Sequence, residues 1–354
     1  MWILKKRKQP TSLGIDIGSR GIKVVELERE KQRISLKNYG GLKLSAAKKD
    51  TFYFFNKRTF LPSVENVSTA IKAILEEADI ETKEVIFSLP DFSTFFTSLT
   101  LPKMTKSELA DAVHFEARKH IPIPFNEVVL DWELVGDTKN LAEGNNRVLV
   151  MAISKTLVLE YKKIAKQSGL TLLSLEAEVM GLKRAVVPTS KENICMVEIG
   201  CQSTTISIVS QGFLLTSVSF DIAGKDYTYS LIESLDIDLI EAEKIKTNIG
   251  LKEENKKIIK AITPSLKMIV DKIKQVIGSF ESKEAKMDKI IIIGGAINMP
   301  GLLDFFKNNF ERLKVESGNA FEDISYKPEL EPIIPEISST FSIALGEALK
   351  RFKD

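Results

Sequence analysis

At 354 residues the chain is longer than one hydrophobic core usually organises, so two lobes are expected. Hydrophobic residues at 44% and charged residues at 28% supply enough apolar surface for sizeable cores, which excludes a disordered chain. The 50 Lys and Arg against 48 Asp and Glu leave a formal charge of +2, which excludes a global electrostatic drive toward nucleic acid.

Residues 12–17 and 22–29 read as two strands joined by Gly18, Ser19, Arg20 and Gly21, and a third strand follows near 33–44. Val64, Val67, Ile71, Ile74 and Leu75 recur at helical spacing over 64–78, and EVIFSLP at 84–90 is a short buried strand, giving the order βββαβ. A strand at 93–101 leads to a helix at 105–120, opened by a capping box of Thr105 and Glu108 and stopped by Pro122 and Pro124. Strands at 128–135 and 147–153, a helix at 156–168, a strand at 170–175 and a helix at 177–187 follow. The pattern then restarts with strands at 194–199, 204–209 and 213–220. Helical stretches fill 225–280, where Pro264 is expected to break the amphipathic run from Ile258 to Phe280. DKIIIIGG at 288–295 is a strand running into a glycine turn, and helices at 301–312 and 341–352 close the chain.

Cys195 and Cys201 are not spaced as a CxxC pair and suit a reduced compartment, so the cytoplasm is expected. MWILKKRKQP carries four apolar residues ahead of its basic run, short of the ~7 to 15 of a signal peptide. The longest charge-free apolar stretch, between Lys289 and Asp304, is interrupted by Gly294, Gly295, Pro300 and Gly301, so no direct membrane span is expected. His114 and His120 are too isolated for a metal site. Residues 48–60 (KKDTFYFFNKRTF) interleave aromatic and basic side chains, as either a half-buried hairpin or a membrane or nucleic-acid patch would.

The chemistry is concentrated in an internal echo. LGIDIGSRGIKVV from Leu13 and CMVEIGCQSTTIS from Cys195 align without gaps, placing Asp16 opposite Glu198 at an offset of 182 residues, about half the chain. Each copy is a strand ending in a carboxylate, then an aliphatic residue, a glycine, a polar turn and a second strand. Glycine lets backbone N–H groups approach phosphate oxygens, and a strand-end carboxylate holds Mg²⁺ through its waters. Asp16 and Gly18 fit those roles. Lys23 shares a strand face with Val25 and Leu27, so parity turns it inward, where it needs an anionic partner. No GxxxxGK[ST] and no GxGxxG occurs, which argues against a P-loop enzyme or a Rossmann dehydrogenase.

Asp16, Gly18 and Lys23 as DxGxxxxK resemble the first phosphate motif of the actin, heat-shock-chaperone and sugar-kinase superfamily, and Glu198 and Gly200 resemble the second. IIIIGGAINMPGL at 290–302 is similar to its adenosine motif, and FSIALGEALK at 341–350 to the following connecting helix, with Gly346 at a close packing contact. The resemblance implies ATP and Mg²⁺ between the lobes, with Asp16 and Glu198 holding the metal through water. Gly18, Ser19, Arg20 and Lys23 would surround one phosphate turn and Gly200, Gln202, Ser203 and Thr204 the other. Gly294, Gly295 and Ala296 would meet the nucleoside, as would Glu243 and Lys246, three apart on one helical face. Glu176 matches the acidic residue of the other connecting segment, a catalytic position together with Glu198. The superfamily usually has Asp where this chain has Glu198, one methylene longer, so slow hydrolysis is expected.

The run LPKMTKSELADAVHFEARKHIPIPFNEVVLDWELVG, from Leu101 to Gly136, closely resembles the type IV pilus assembly PilM family. That resemblance implies an α/β, two-lobed actin-like (duplicated ribonuclease H-like) fold with an inserted small α/β subdomain. The first lobe would comprise 1–90 and 154–187, the insertion 91–153, and the second lobe 188–354 with a helical part at about 225–285. It further implies a cytoplasmic component of the pilus inner-membrane platform, peripheral to the membrane through the short cytoplasmic tail of a PilN-like single-span protein. Nucleic acid is not an expected partner, and self-association stays open. The strand at 93–102, with Phe95, Phe96, Leu99 and Leu101, is either one surface on which such a tail lies or a strand covered on both faces by the helix at 105–120 and the first lobe. Two alternatives remain: a filament-forming division protein like FtsA, and a small-molecule kinase, for which no acceptor base can be assigned.

Overall fold

The computed structural model describes residues 10–43, 55, 61–135, 145–252 and 255–353. The basic opening segment and, apart from Phe55, the run at 48–60 lie outside the described residues. Three strands, β1 (Thr11–Gly18), β2 (Gly21–Glu30) and β3 (Arg33–Lys43), form an antiparallel meander. After α1 (Val64–Glu77), β4 (Glu84–Leu89) lies parallel to β1. An insertion follows, made of β5 (Thr94–Pro102), α2 (Lys106–Ala117), β6 (Val128–Leu134) and β7 (Asn145–Ser154), whose sheet runs β5-β7-β6. Then α3 (Lys155–Gln167) returns the chain to β8 (Thr171–Ala177), parallel to β4, and the first sheet reads β3-β2-β1-β4-β8.

Helix α4 (Glu178–Val186) crosses to the second half, where the topology repeats. Strands β9 (Asn193–Ile199), β10 (Thr204–Ser210) and β11 (Phe213–Phe220) are antiparallel. Helices α5 (Gly224–Leu235), α6 (Leu239–Asn248) and α7 (Lys256–Glu281) precede β12 (Lys289–Ile293), α8 (Leu302–Asn309) and β13 (Lys314–Ser317). The sheet order β11-β10-β9-β12-β13 duplicates that of the first sheet, strand for strand. The chain ends in α9 (Ile334–Thr340) and α10 (Ser342–Lys353).

Local chemistry explains several of these elements. Val67, Ile71, Ile74 and Leu75 of α1 are buried on one face. At the start of α2, the Thr105 hydroxyl accepts from the Glu108 N–H at 3.3 Å and the Glu108 carboxylate accepts from the Thr105 N–H at 2.8 Å. The expected break at Pro264 does not occur: α7 runs through it without interruption. Pro264 and Lys260 both lie on the exposed face, so the carbonyl deprived of its helical partner is left to water instead of the core.

Helix α10 leaves the second half and packs on β1, β2 and α4, with Ala344, Leu345, Ala348 and Leu349 fully or almost fully buried beside Val25 and Leu27. The segment expected to belong to the second lobe thus ends on the first. Glycines permit this crossing. A Cβ on Gly346 would stand 1.9 Å from the Gly181 carbonyl oxygen, and one on Gly14 would stand 2.0 Å from that of Ala344. In the insertion, Leu99 and Leu101 of β5 are buried beneath α2, while Phe96 packs against the second-half core. The Ser98 hydroxyl also donates to the Leu215 carbonyl at 2.6 Å, so of the two readings of β5 the covered strand is the one found, with the second half in place of the first lobe.

Candidate functional site

The cleft between the two repeats is built from the two hairpin turns. Asp16 and Lys23 are register partners across β1 and β2, and Gly18 pairs with Gly21 at the tip. Asp16 is 2% exposed and accepts from the Lys23 ammonium at 3.0 Å and from the Ser88 hydroxyl at 3.1 Å. A side chain on Gly18 would sit 3.1 Å from the Lys23 ammonium, so glycine keeps that cation over the turn. Burial opposes the charge of Lys23, and the carboxylates of Asp16, Glu198 and Glu178 overcome it and raise its pKa. The inward lysine has its anionic partner.

In the second copy, Glu198 pairs with Thr205 across β9 and β10, and the turn closes by a Gly200 N–H bond to the Ser203 carbonyl at 3.0 Å. The N-terminus of α5 supports this turn, because Gly224 and Lys225 donate to the carbonyls of Gly200 and Cys201 at 3.1 and 2.8 Å. Thr204 is fully buried and its hydroxyl donates to the Ile222 carbonyl at 2.7 Å, which commits it to the scaffold. Gln202 and Ser203 stay half-buried on the turn.

The end of β12 meets the same strand. Gly294 has φ +97°, and a Cβ there would lie 2.6 Å from both the Glu198 carboxylate and the Ile199 carbonyl, so only glycine fits. Gly295 faces open space, and Ala296 is half-buried beside it. From α6, the Glu243 carboxylate accepts from Arg20 at 2.9 Å, Lys246 at 2.8 Å and Thr228 at 2.6 Å. Burial would raise the Glu243 pKa, but Lys246 prevails, with Thr228 and Arg20, and lowers it to about 2. The Arg20 contact bridges the first hairpin turn to the second half of the molecule.

Two carboxylates that the sequence reading passed over join this cleft. Glu178, the first residue of α4, accepts from the Asp91 N–H at 3.0 Å, and Asp91 accepts from the Val179 N–H at 3.3 Å. Burial pushes Asp91 up to about 7 and Glu198 up to about 8, with Asp16 adding to both, and burial, with Asp16, Asp91 and Glu198, likewise raises Glu178 well above the ordinary carboxylate range. Three of these four carboxylates, Asp16, Glu198 and Glu178, act on one lysine. Hard oxygen donors in such excess suit a divalent cation, and its charge would relieve their repulsion. Among the described residues no three such groups converge closely enough to ligate one ion directly.

Glu176 is not in this group. Arg184 grips it with two bonds of 2.8 Å and Lys350 adds a third at 3.0 Å, tying β8 to α4 and α10. The strand runs one residue beyond Glu176, to Ala177, before the helix begins, and it is Glu178 that the junction aims into the cleft. A similar signal, a carboxylate close after a strand end, marks Asp91, separated from the end of β4 by Pro90.

A second concavity lies outside the cleft. A groove of about 830 Å³ runs between the insertion and the first sheet, walled by Val129, Trp132 and Glu133 of β6, Leu175 of β8, and Met180 and Lys183 of α4. Both β6 and β8 are edge strands of their sheets among the described residues.

The family model for type IV pilus assembly protein PilM matches residues 14–352. The cell division protein FtsA of Staphylococcus epidermidis is 24% identical over 262 residues, 67% of this chain and 54% of that protein, so the chain spans about half the length of the curated relatives it matches. Among solved structures, a PilM–PilN type IV pilus biogenesis complex superimposes with a TM-score of 0.83 at 23% identity, covering 96% of this chain and 98% of that one. The ethanolamine utilization protein EutJ of Carboxydothermus hydrogenoformans gives 0.57 at 15%, covering 97% and 92%. An MreB protein of Spiroplasma citri bound to ADP gives 0.55 at 13%, covering 97% of each chain. The fold they share is actin-like.

Proposed function

Because this chain belongs to the type IV pilus assembly protein PilM family, we propose that it is a nucleotide-binding scaffold of the pilus inner-membrane platform. In this reading ATP with Mg²⁺ lies in the cleft, and the short cytoplasmic tail of a PilN-like membrane protein lies in the groove beside β6 and β8. Asp16 and Glu198 hold the metal through water, with Glu178 in the role first given to Glu176. Lys23, Gly18, Ser19 and Arg20 face the phosphates from one turn, and Gly200, Gln202 and Ser203 from the other, while Gly294, Gly295, Ala296, Glu243 and Lys246 surround the nucleoside. Among the described residues no helix is long and apolar enough to cross a membrane, so attachment through a partner is the route proposed.

The observation that carries the docking role is the groove between β6 and β8, both edge strands among the described residues. An extended peptide can add backbone hydrogen bonds to such an edge while Trp132 and Leu175 take its apolar side chains. Titration of a synthetic tail peptide, followed by tryptophan fluorescence and calorimetry, tests it. Saturable binding weakened tenfold or more by Trp132→Ala is expected; undiminished affinity in the variant would place the tail elsewhere. The match to FtsA supports a second reading, filament formation, which sedimentation of the purified chain with ATP would reveal.

A further inference from the structure

The outward face of α7 departs from the other exposed helices. Lys256, Lys260, Lys267 and Lys274 are all exposed and, at about 100° per residue, fall within about 40° of one another, in a row about 27 Å long. Lys257 flanks the row, Asp271 is the one acid within it, and Met268, 54% exposed, is the large apolar side chain beside it. Solvated faces normally intersperse signs. Helix α3 does so with Glu160 and Lys163, 2.8 Å apart, whereas no lysine of the α7 row forms an ion pair among the described residues.

The row also works against its own helix. The first turn of α7 holds Lys256 and Lys257, with no acidic residue and no side-chain cap from Asn255, so positive charge sits at the positive end of the helix dipole. Lys274 lies over the Phe310 ring, 5.7 Å from its centroid, and among the described residues no acid pairs with Lys256, Lys260 or Lys267; local rules broken without internal gain mark surfaces kept for another purpose.

We propose that this face of α7 docks on an anionic lipid surface. The inference rests on the reading above, in which a membrane-anchored partner holds the chain close to a bilayer. A straight row of compact ammonium charges matches a flat field of phosphate headgroups, and lysine recognises such charge without the planar fork that arginine brings to specific sites. A protein partner would call for aromatic or arginine anchors, and single-stranded nucleic acid for stacking rings; this face offers Met268 alone. The contact can be weak in isolation, because a tethered partner raises its effective concentration.

Co-sedimentation of the full chain with vesicles of phosphatidylcholine, with and without phosphatidylglycerol, tests this. The wild type should partition onto the anionic vesicles alone, less so as salt rises. Lys260→Gln, Lys267→Gln and Lys274→Gln together should lower that partition tenfold or more, given about fivefold per lysine at an anionic surface. Exposed glutamines should leave the melting temperature and tail-peptide affinity unchanged, so loss of lipid binding is separable from misfolding and from failure of the scaffold reading. Equal partition of the variant, or no preference for anionic vesicles, would overturn the proposal. So would duplex DNA binding that is stronger than lipid binding and is lost in the same variant.

Discussion

Replacing Gly346 by alanine adds one methyl group at the crossing of α4 and α10. Its carbon would stand 1.9 Å from the Gly181 carbonyl oxygen and 2.8 Å from the Gly181 Cα, where ordinary contact begins near 3.4 Å. The obstacle is backbone, so the two helices must part by roughly 1.5 Å. That movement disturbs the bond of 2.9 Å from Arg184 to the Gly346 carbonyl and the buried packing of Ala344, Leu345, Ala348 and Leu349. Alanine gains about 1 kcal/mol in helix propensity. Against it stand about 1–3 kcal/mol for overpacking and about 1.5–3 kcal/mol for a weakened bond to a charged donor. The net expectation is a loss of about 2–4 kcal/mol. Gly278→Ala is the control: that glycine lies on the exposed face of α7 with nothing within 4 Å, so the same change should stabilise by about 0.5–1 kcal/mol. Denaturant midpoints of both variants check the pair. A Gly346→Ala protein as stable as wild type would refute the close crossing, and with it the seating of α10 against α4.

Glu198, raised by burial to about 8, contributes stability that is full below the unfolded carboxylate pKa and is lost as pH rises through about 8. Thermal melts should therefore fall between pH 6 and pH 9 in wild type and fall less in Glu198→Gln; equal slopes would refute the burial argument. Glu243, lowered to about 2, has the opposite sign: Glu243→Gln should be less stable than wild type above the usual carboxylate range, and the gap should close as pH falls toward 2. Gly294→Ala meets both a positive φ and two contacts of 2.6 Å, so its ATP affinity should fall at least tenfold, as read by calorimetry. If the longer Glu198 misplaces the attacking water, steady-state ATP turnover should lie far below the ~10 s⁻¹ enzyme median, and a fast ATPase would sink that idea.

The fold was legible wherever periodicity and turn chemistry act locally. The echo of Asp16 in Glu198 appears in the structure as two sheets of identical strand order, and the capping box at Thr105 forms as its spacing requires. Gly346 meets the tight contact expected of it. What stayed hidden depends on which face an element turns to its neighbours. Pro264 failed to break α7 because it lies on the solvent side, a fact fixed by tertiary packing. Glu176 and Glu178 differ by two positions at one strand-to-helix junction, and only the place where β8 yields to α4 decides which reaches the cleft. Asp91 follows the end of β4 by one proline, a weak signal in sequence, and its importance arises from the bonds to Glu178 and Val179. The apolar residues of β5 read as a candidate docking face, yet α2 covers Leu99 and Leu101 and the second half of the chain takes Phe96, the latter a long-range contact that alternation along one strand does not encode.

The central claim, that the duplicated turns form a nucleotide site, is tested most directly by isothermal titration of MgATP into the wild-type chain and Asp16→Ala. Asp16 is buried between Lys23 and Ser88, so a circular dichroism melt of the variant accompanies the titration. One ATP per chain is expected in the wild type, with affinity reduced tenfold or more in a variant that still melts cooperatively. Absence of binding in the wild type, or equal affinity in a folded Asp16→Ala protein, would contradict the account.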